Sequence, residues 1–176
     1  MELSNLYFAY GADLDLDNLK RRAGHAEALS SASLPGFKLA FFGHDPLWDG
    51  AMETLVRDPH AVTWGVLYRL DPTAWERLDT LVGATLDGSG LYFHYPVEVT
   101  TPDGHVHAVR TYKKDVQGTP RTPSTEYLLM FLRGATAHGL PSSYLEFLRA
   151  LPSHPAKKTV PTTDPHRRRS LPVVIG

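Results

Sequence analysis

With 176 residues, 42% of them hydrophobic and 21% charged, the chain has the length and composition of one folded domain rather than of a disordered segment. A formal net charge of −1 offers no global attraction to nucleic acid or an anionic membrane, and the absence of cysteine excludes disulfides, thiolate metal sites and a cysteine nucleophile. No stretch approaches the roughly 18 apolar residues of a membrane span, and no basic run leads into an apolar one at the start, so the expectation is a cytoplasmic protein.

Leu3 to Tyr10 is an apolar run ended by Gly11, the pattern of a buried strand. Asp15 or Asp17 is placed to cap a short helix through Arg22, because a carboxylate accepts from the unpaired first-turn N–H groups. Phe37 to Phe42, Ala51 to Arg57 and Ala61 to Leu70 read as three strands. In the last, Val62, Trp64, Val66, Tyr68 and Leu70 share one face. Asp71-Pro72 then opens a helix that runs through Trp75, Leu78 and Leu81. Leu91 to Thr100 alternates again and meets a return strand, His105 to Lys113, through Asp103-Gly104, whose residues tolerate the positive φ of a tight hairpin. A helix follows from Ser124 to His138, with Gly139 as its left-handed end. Ser143 and Glu146 have capping-box spacing for one more helix, through Leu151.

Strands joined by hairpins and closed by two packed helices predict an α+β fold with a mixed, mostly antiparallel, barrel-like sheet and flanking helices. Residues 1–151 form the domain. Residues 152–176 carry five prolines and five Lys/Arg against one Asp, and read as an extended basic tail. Arg167 to Arg169 is a short terminal run of the kind that is usually solvated. His105 and His107 share a strand face, but with no third ligand nearby they read as surface histidines beside a hairpin tip.

Five segments in order carry a resemblance. Tyr7-Phe-Ala-Tyr-Gly-Ala-Asp-Leu14 resembles the strand-and-loop signature of the gamma-glutamylcyclotransferase family (the AIG2-like fold), in which serine, asparagine and leucine follow the tyrosine-glycine pair. Leu34-Pro-Gly-Phe-Lys-Leu-Ala-Phe41 is similar to the family's second-strand motif, and Trp48-Asp-Gly-Ala-Met-Glu-Thr-Leu55 to its tryptophan-glycine strand. Gly65-Val-Leu-Tyr68 with Leu78-Asp79 resembles the strand and helix that lead to the acid/base residue. Pro123-Ser-Thr-Glu-Tyr127 through Tyr144 resembles the closing helix pair. Together they span roughly residues 5–151.

What the resemblance implies is an intramolecular acyl transfer. The free α-amine of a gamma-glutamyl compound attacks its own γ-carbonyl, closes 5-oxoproline and expels an amine. A tethered nucleophile needs orientation, charge stabilisation and a proton shuttle, so no metal or cofactor is expected. The family's substrate loop maps to Tyr10, Gly11, Ala12, Asp13 and Leu14, and its site tyrosines to Tyr92 and Tyr127. The partner is then a small molecule, with neither nucleic acid nor membrane; the sequence leaves the oligomeric state open.

Two departures bear on activity. The family's glutamate-glycine at the end of the helix is here Val82-Gly83, in register with Leu78-Asp79, and valine carries no proton. General acid–base catalysis is worth about 10²–10⁴-fold, so the standard reaction is expected to be lost or strongly reduced. Ala12 and Asp13 replace the family's serine and asparagine. Asp13 puts a negative charge beside a loop expected to receive an α-carboxylate, and repulsion between the two at about 4 Å in a partly desolvated pocket would cost on the order of 4 kcal/mol at an effective dielectric near 20.

Two carboxylates are candidate replacements for the missing shuttle. Glu53 stands where the family has a small residue; its plain reading is a solvent-facing strand residue, its sharper one a relocated base. Asp13 is the second, with helix-start capping as the plainer role. Asp79 matches a family position read as structural. One reading is thus a binding protein with its chemistry lost; the other is a divergent enzyme with a relocated carboxylate. An inward Glu53, beside Gly11 and Tyr127, favours the enzyme.

Overall fold

The computed structural model describes residues 5–85, 90–114 and 118–161. Five strands close a barrel in the order β1-β3-β2-β4-β5: β1 (Leu6–Ala9), β2 (Glu27–Asp45), β3 (Gly50–Arg69), β4 (Tyr92–Thr100) and β5 (Val106–Lys114). Every pairing is antiparallel except the one that closes the barrel, β1 with β5, registered at Tyr7 and Arg110. The expected α+β, mostly antiparallel barrel is the fold observed. Phe8, Leu34, Leu55, Val66, Tyr68 and Val99 are fully buried in its core. Among the described residues no helix is long and apolar enough to cross a membrane.

Two of the three middle strands are one. The segments 51–57 and 61–70 both belong to β3, although Asp58-Pro59 between them reads as a break. The ladder explains it: Arg57 pairs with Phe37 and Val62 with Pro35, so residues 58–61 bulge opposite Gly36. Pro59 therefore has no ladder hydrogen bond to lose, and Gly36 takes the positive φ of 80° that the opposing strand needs. The same bulge carries β2 back to Glu27, well before the expected start at Phe37.

The helices follow their caps. Asp15, not Asp17, caps α1 (Leu16–Ala23) by accepting from Asn18 N–H at 2.9 Å. Asp71 caps α2 (Pro72–Val82) through Ala74 N–H at 2.8 Å, with Pro72 in the first turn. Ser124 caps α3 (Thr125–Ala137), and Gly139 takes the left-handed conformation beyond its end. α4 (Ser142–Arg149) departs from expectation. Pro141 fixes an extended entry, so Ser143 lies inside the helix and forms no capping box.

α3 positions the loop after β1. A Cβ on Gly134 would come within 2.2 Å of the Leu14 carbonyl carbon, so only glycine lets the helix seat against that backbone. The first residues of the C-terminal segment also dock. His154 exchanges backbone hydrogen bonds with Pro123 and Thr125, its Nε2 lies 2.9 Å from the Asp49 carbonyl oxygen, and Lys157 N–H donates to Asp49 Oδ2 at 2.7 Å. The rest of the expected tail, with the basic run at 167–169, falls outside the described residues.

Candidate functional site

The chain leaves β1 at Tyr10-Gly11 and turns through a short 3₁₀ segment, Ala12–Leu14, before Asp15 caps α1. Tyr10 and Leu14 are buried supports. The Tyr10 hydroxyl donates to the Tyr112 carbonyl at 2.6 Å, and the Leu14 carbonyl accepts from Tyr68 at 3.1 Å. Gly11 leaves room for the Glu53 carboxylate, which any larger residue would displace. A Cβ there would lie 2.0 Å from Glu53 Oε1.

Glu53 points inward, against its plain reading as a solvent-facing strand residue. Its Oε1 accepts from Ala12 N–H at 3.3 Å and its Oε2 from the Tyr127 hydroxyl at 2.6 Å. Tyr92 donates to the Glu53 carbonyl at 2.8 Å. The carboxyl group is thus held between the Ala12 amide and the Tyr127 hydroxyl, while Tyr92 holds the backbone carbonyl of the same residue. Burial pushes its pKa up, partly countered by the hydrogen bonds from Tyr127 and Ala12 and reinforced by the charge of Asp13. Tyr92 and Tyr127 are held well above the usual tyrosine range by burial and by the Glu53 charge, so both stay protonated donors.

Asp13 is buried but not bare. Its Oδ1 is paired with the Arg22 guanidinium, its Oδ2 accepts from Tyr7 at 2.9 Å, and Asn18 Nδ2 lies 3.3 Å from Oδ1. The repulsion expected of Asp13 took no account of Arg22, whose charge offsets it. Helix capping, its plainer expected role, belongs to Asp15 instead.

Val82 is the last residue of α2, half-buried against the core, and Gly83 ends the helix with φ 65°. Ala84 then bridges to Tyr92, whose hydroxyl reaches Glu53. The helix end that resembles the family's base-bearing position and the strand that carries Glu53 thus meet at one tyrosine. Three residues before Val82, on the same helix face, Asp79 accepts from the Tyr112 hydroxyl and lies 2.6 Å from His94 Nε2. Arg110 covers this cluster with its guanidinium 3.9 Å from the Trp75 ring centre. Asp79 therefore ties α2 to β4 and β5, the structural part expected of it.

Arg22, Tyr112 and His94 were not singled out from the sequence. Arg22 sits among three basic residues at the end of a polar helix, where a solvated side chain is the default. Tyr112 and His94 are strand residues without motif spacing; their placement depends on the β4–β5 register, which pairs them.

Residues 62–148 match the AIG2-like family. The chain is 32% identical over 155 residues to gamma-glutamylcyclotransferase of Homo sapiens, covering 85% of this chain and 80% of that protein. It is 31% identical over 151 residues to the Mus musculus protein of the same name, covering 83% and 78%. A solved gamma-glutamyl cyclotransferase superposes with a TM-score of 0.82 at 29% identity, covering 89% of this chain and 92% of that one.

Proposed function

Because the chain belongs to the gamma-glutamylcyclotransferase family, we propose that it closes a gamma-glutamyl amide to 5-oxoproline with Glu53 as its proton shuttle. The observation that carries this reading is the inward Glu53, hydrogen-bonded to the Ala12 amide and the Tyr127 hydroxyl at the loop that resembles the family's substrate loop. In the reaction the substrate's α-amine forms a C–N bond to its own γ-carbonyl carbon. The original amide C–N bond breaks, one proton leaves the attacking nitrogen, and one is gained by the departing amine. Glu53 receives the first proton and supplies the second. Burial moves the carboxyl pKa up from its ordinary value, the direction that suits a group which must both take and give a proton. Val82 would then leave an apolar wall where the family's glutamate stands.

One observation favours a second reading, in which a small molecule binds but the standard chemistry is lost. Glu53 Oε1 already occupies the Ala12 N–H, a donor that a substrate would otherwise use. Moving the carboxylate separates the two. In the enzyme reading, Glu53→Ala stops 5-oxoproline release, and adding Val82→Glu to it restores at most part of the native rate. In the binding reading, native protein releases none, and the Glu53→Ala/Val82→Glu pair gains activity because the loop is vacated and the shuttle returned.

A further inference from the structure

We propose that an apolar strip, Val82, Ala84 and Leu91, receives the leaving amine, and that the amides this chain closes carry an uncharged hydrocarbon amine. The proposal rests on the cyclotransferase reading and names the class of amine expelled. The amine is the part that differs from one gamma-glutamyl compound to the next, so the surface it meets sets specificity. In that reading the γ-carbonyl lies at Glu53, and the amine departs along the residues that adjoin it.

Three observations carry it. Of the three residues bonded to Glu53, Ala12 and Tyr127 are buried while Tyr92 is part-exposed, so the way from the carboxylate to solvent runs past Tyr92. Tyr92 is bridged to Ala84, which follows the left-handed end of α2, and Val82, Ala84 and Tyr92 all pack against the core from its edge. Leu91 completes the strip. A Cβ on Gly83 would lie 3.7 Å from the Leu91 Cβ, an ordinary contact, and a Cβ on Gly90 would come within 1.9 Å of the Gly83 carbonyl oxygen. Backbone packing thus places Leu91 over the helix end, yet the leucine is 71% exposed, and Leu81, next to Val82, is 59% exposed. Residues 80–85 and 90–93 hold no charged side chain. A charged amine would lose hydration on this surface and gain no partner, whereas a hydrocarbon chain would cover apolar area from water.

Three gamma-glutamyl amides test this: those of methylamine, n-pentylamine and 1,4-diaminobutane. The last two have chains of equal length and differ by a terminal methyl against an ammonium group. Calorimetric titration of Glu53→Gln protein, which lacks the proposed shuttle, reads binding without turnover. Affinity should rise about twofold per methylene from the methylamide to the pentylamide, half the increment in free energy of full burial, and the aminobutyl amide should bind more weakly than the pentylamide. In native protein kcat/KM should follow the same order. Leu91→Ser should weaken the pentylamide about three- to tenfold and leave the methylamide unchanged, whereas Leu129→Ser, at a leucine 57% exposed on α3, should change neither. The affinity order is expected in Glu53→Gln protein whether or not native protein turns over, so failure of this proposal and failure of the shuttle are told apart. No gain with chain length, an aminobutyl amide bound as tightly as the pentylamide, or equal losses for methylamide and pentylamide in Leu91→Ser would overturn it.

Discussion

The Tyr127 hydroxyl donates to Glu53 Oε2 at 2.6 Å, joining the first turn of α3 to the start of β3. Trp48, from the turn between β2 and β3, packs on the same tyrosine with ring centres 5.0 Å apart. Glu53 is thus held by a hydrogen bond whose donor is itself fixed by packing, the arrangement that keeps a catalytic side chain in one rotamer.

Tyr127→Phe removes that donor and should change Glu53 in a defined direction. A hydrogen bond to a carboxylate stabilises its charged form, so losing it raises the carboxyl pKa further. The acid limb of kcat/KM should move to higher pH, and the plateau should fall about ten- to hundredfold, in line with one hydrogen bond to a charged group. An unchanged acid limb would mean that Glu53 does not set it.

Glu53 should also be a stability cost. Burial raises its pKa above the ordinary 4.5, so the unfolded chain loses the proton at a lower pH than the folded protein does. Stability from this group is then greatest below pH 4.5, declines as pH rises through the window up to the folded pKa, and stays reduced above it. Glu53→Gln keeps an acceptor for Ala12 N–H and lacks the charge. It should raise Tm at pH 7 and change it little at pH 4. A lower Tm at pH 7 would show that the carboxylate stabilises the fold.

The docked C-terminal segment is predicted to brace the same wall. His154 and Lys157 both bond to Asp49, the neighbour of Trp48, and Trp48 packs on Tyr127. His154→Ala should lower Tm by about 2–4 °C for each 1 kcal/mol lost, and should raise hydrogen exchange at Ala51 and Thr125 before it does so in the barrel core. A uniform change across the chain would argue against a local brace.

Much of this architecture was legible in the sequence, for reasons tied to particular residues. Asp71-Pro72, Ser124 and Gly139 mark helix ends through local chemistry, and Asp103-Gly104 marks the β4–β5 hairpin in the same way. The continuity of β3 was not legible, because Pro59 is tolerated only by a bulge that its partner strand supplies. The false capping box at Ser143 has a similar origin: the spacing was right, but Pro141 had already started the helix. At the site, Glu53 was singled out by type and position. Its direction was not readable, since one step in strand register turns a side chain from one face to the other. Asp13 was visible while its partner was not, because Arg22 is brought to it by the turn between the 3₁₀ segment and α1.

The central claim rests on Glu53, and the most direct measurement is the rate of 5-oxoproline release from gamma-glutamyl amino acids and gamma-glutamyl amines by native protein and by Glu53→Gln. The account predicts measurable turnover by native protein and a loss of about 10²–10⁴-fold in the variant, the usual worth of a general acid–base group, with the fold retained. No release by native protein, or equal rates from the two proteins, would contradict it.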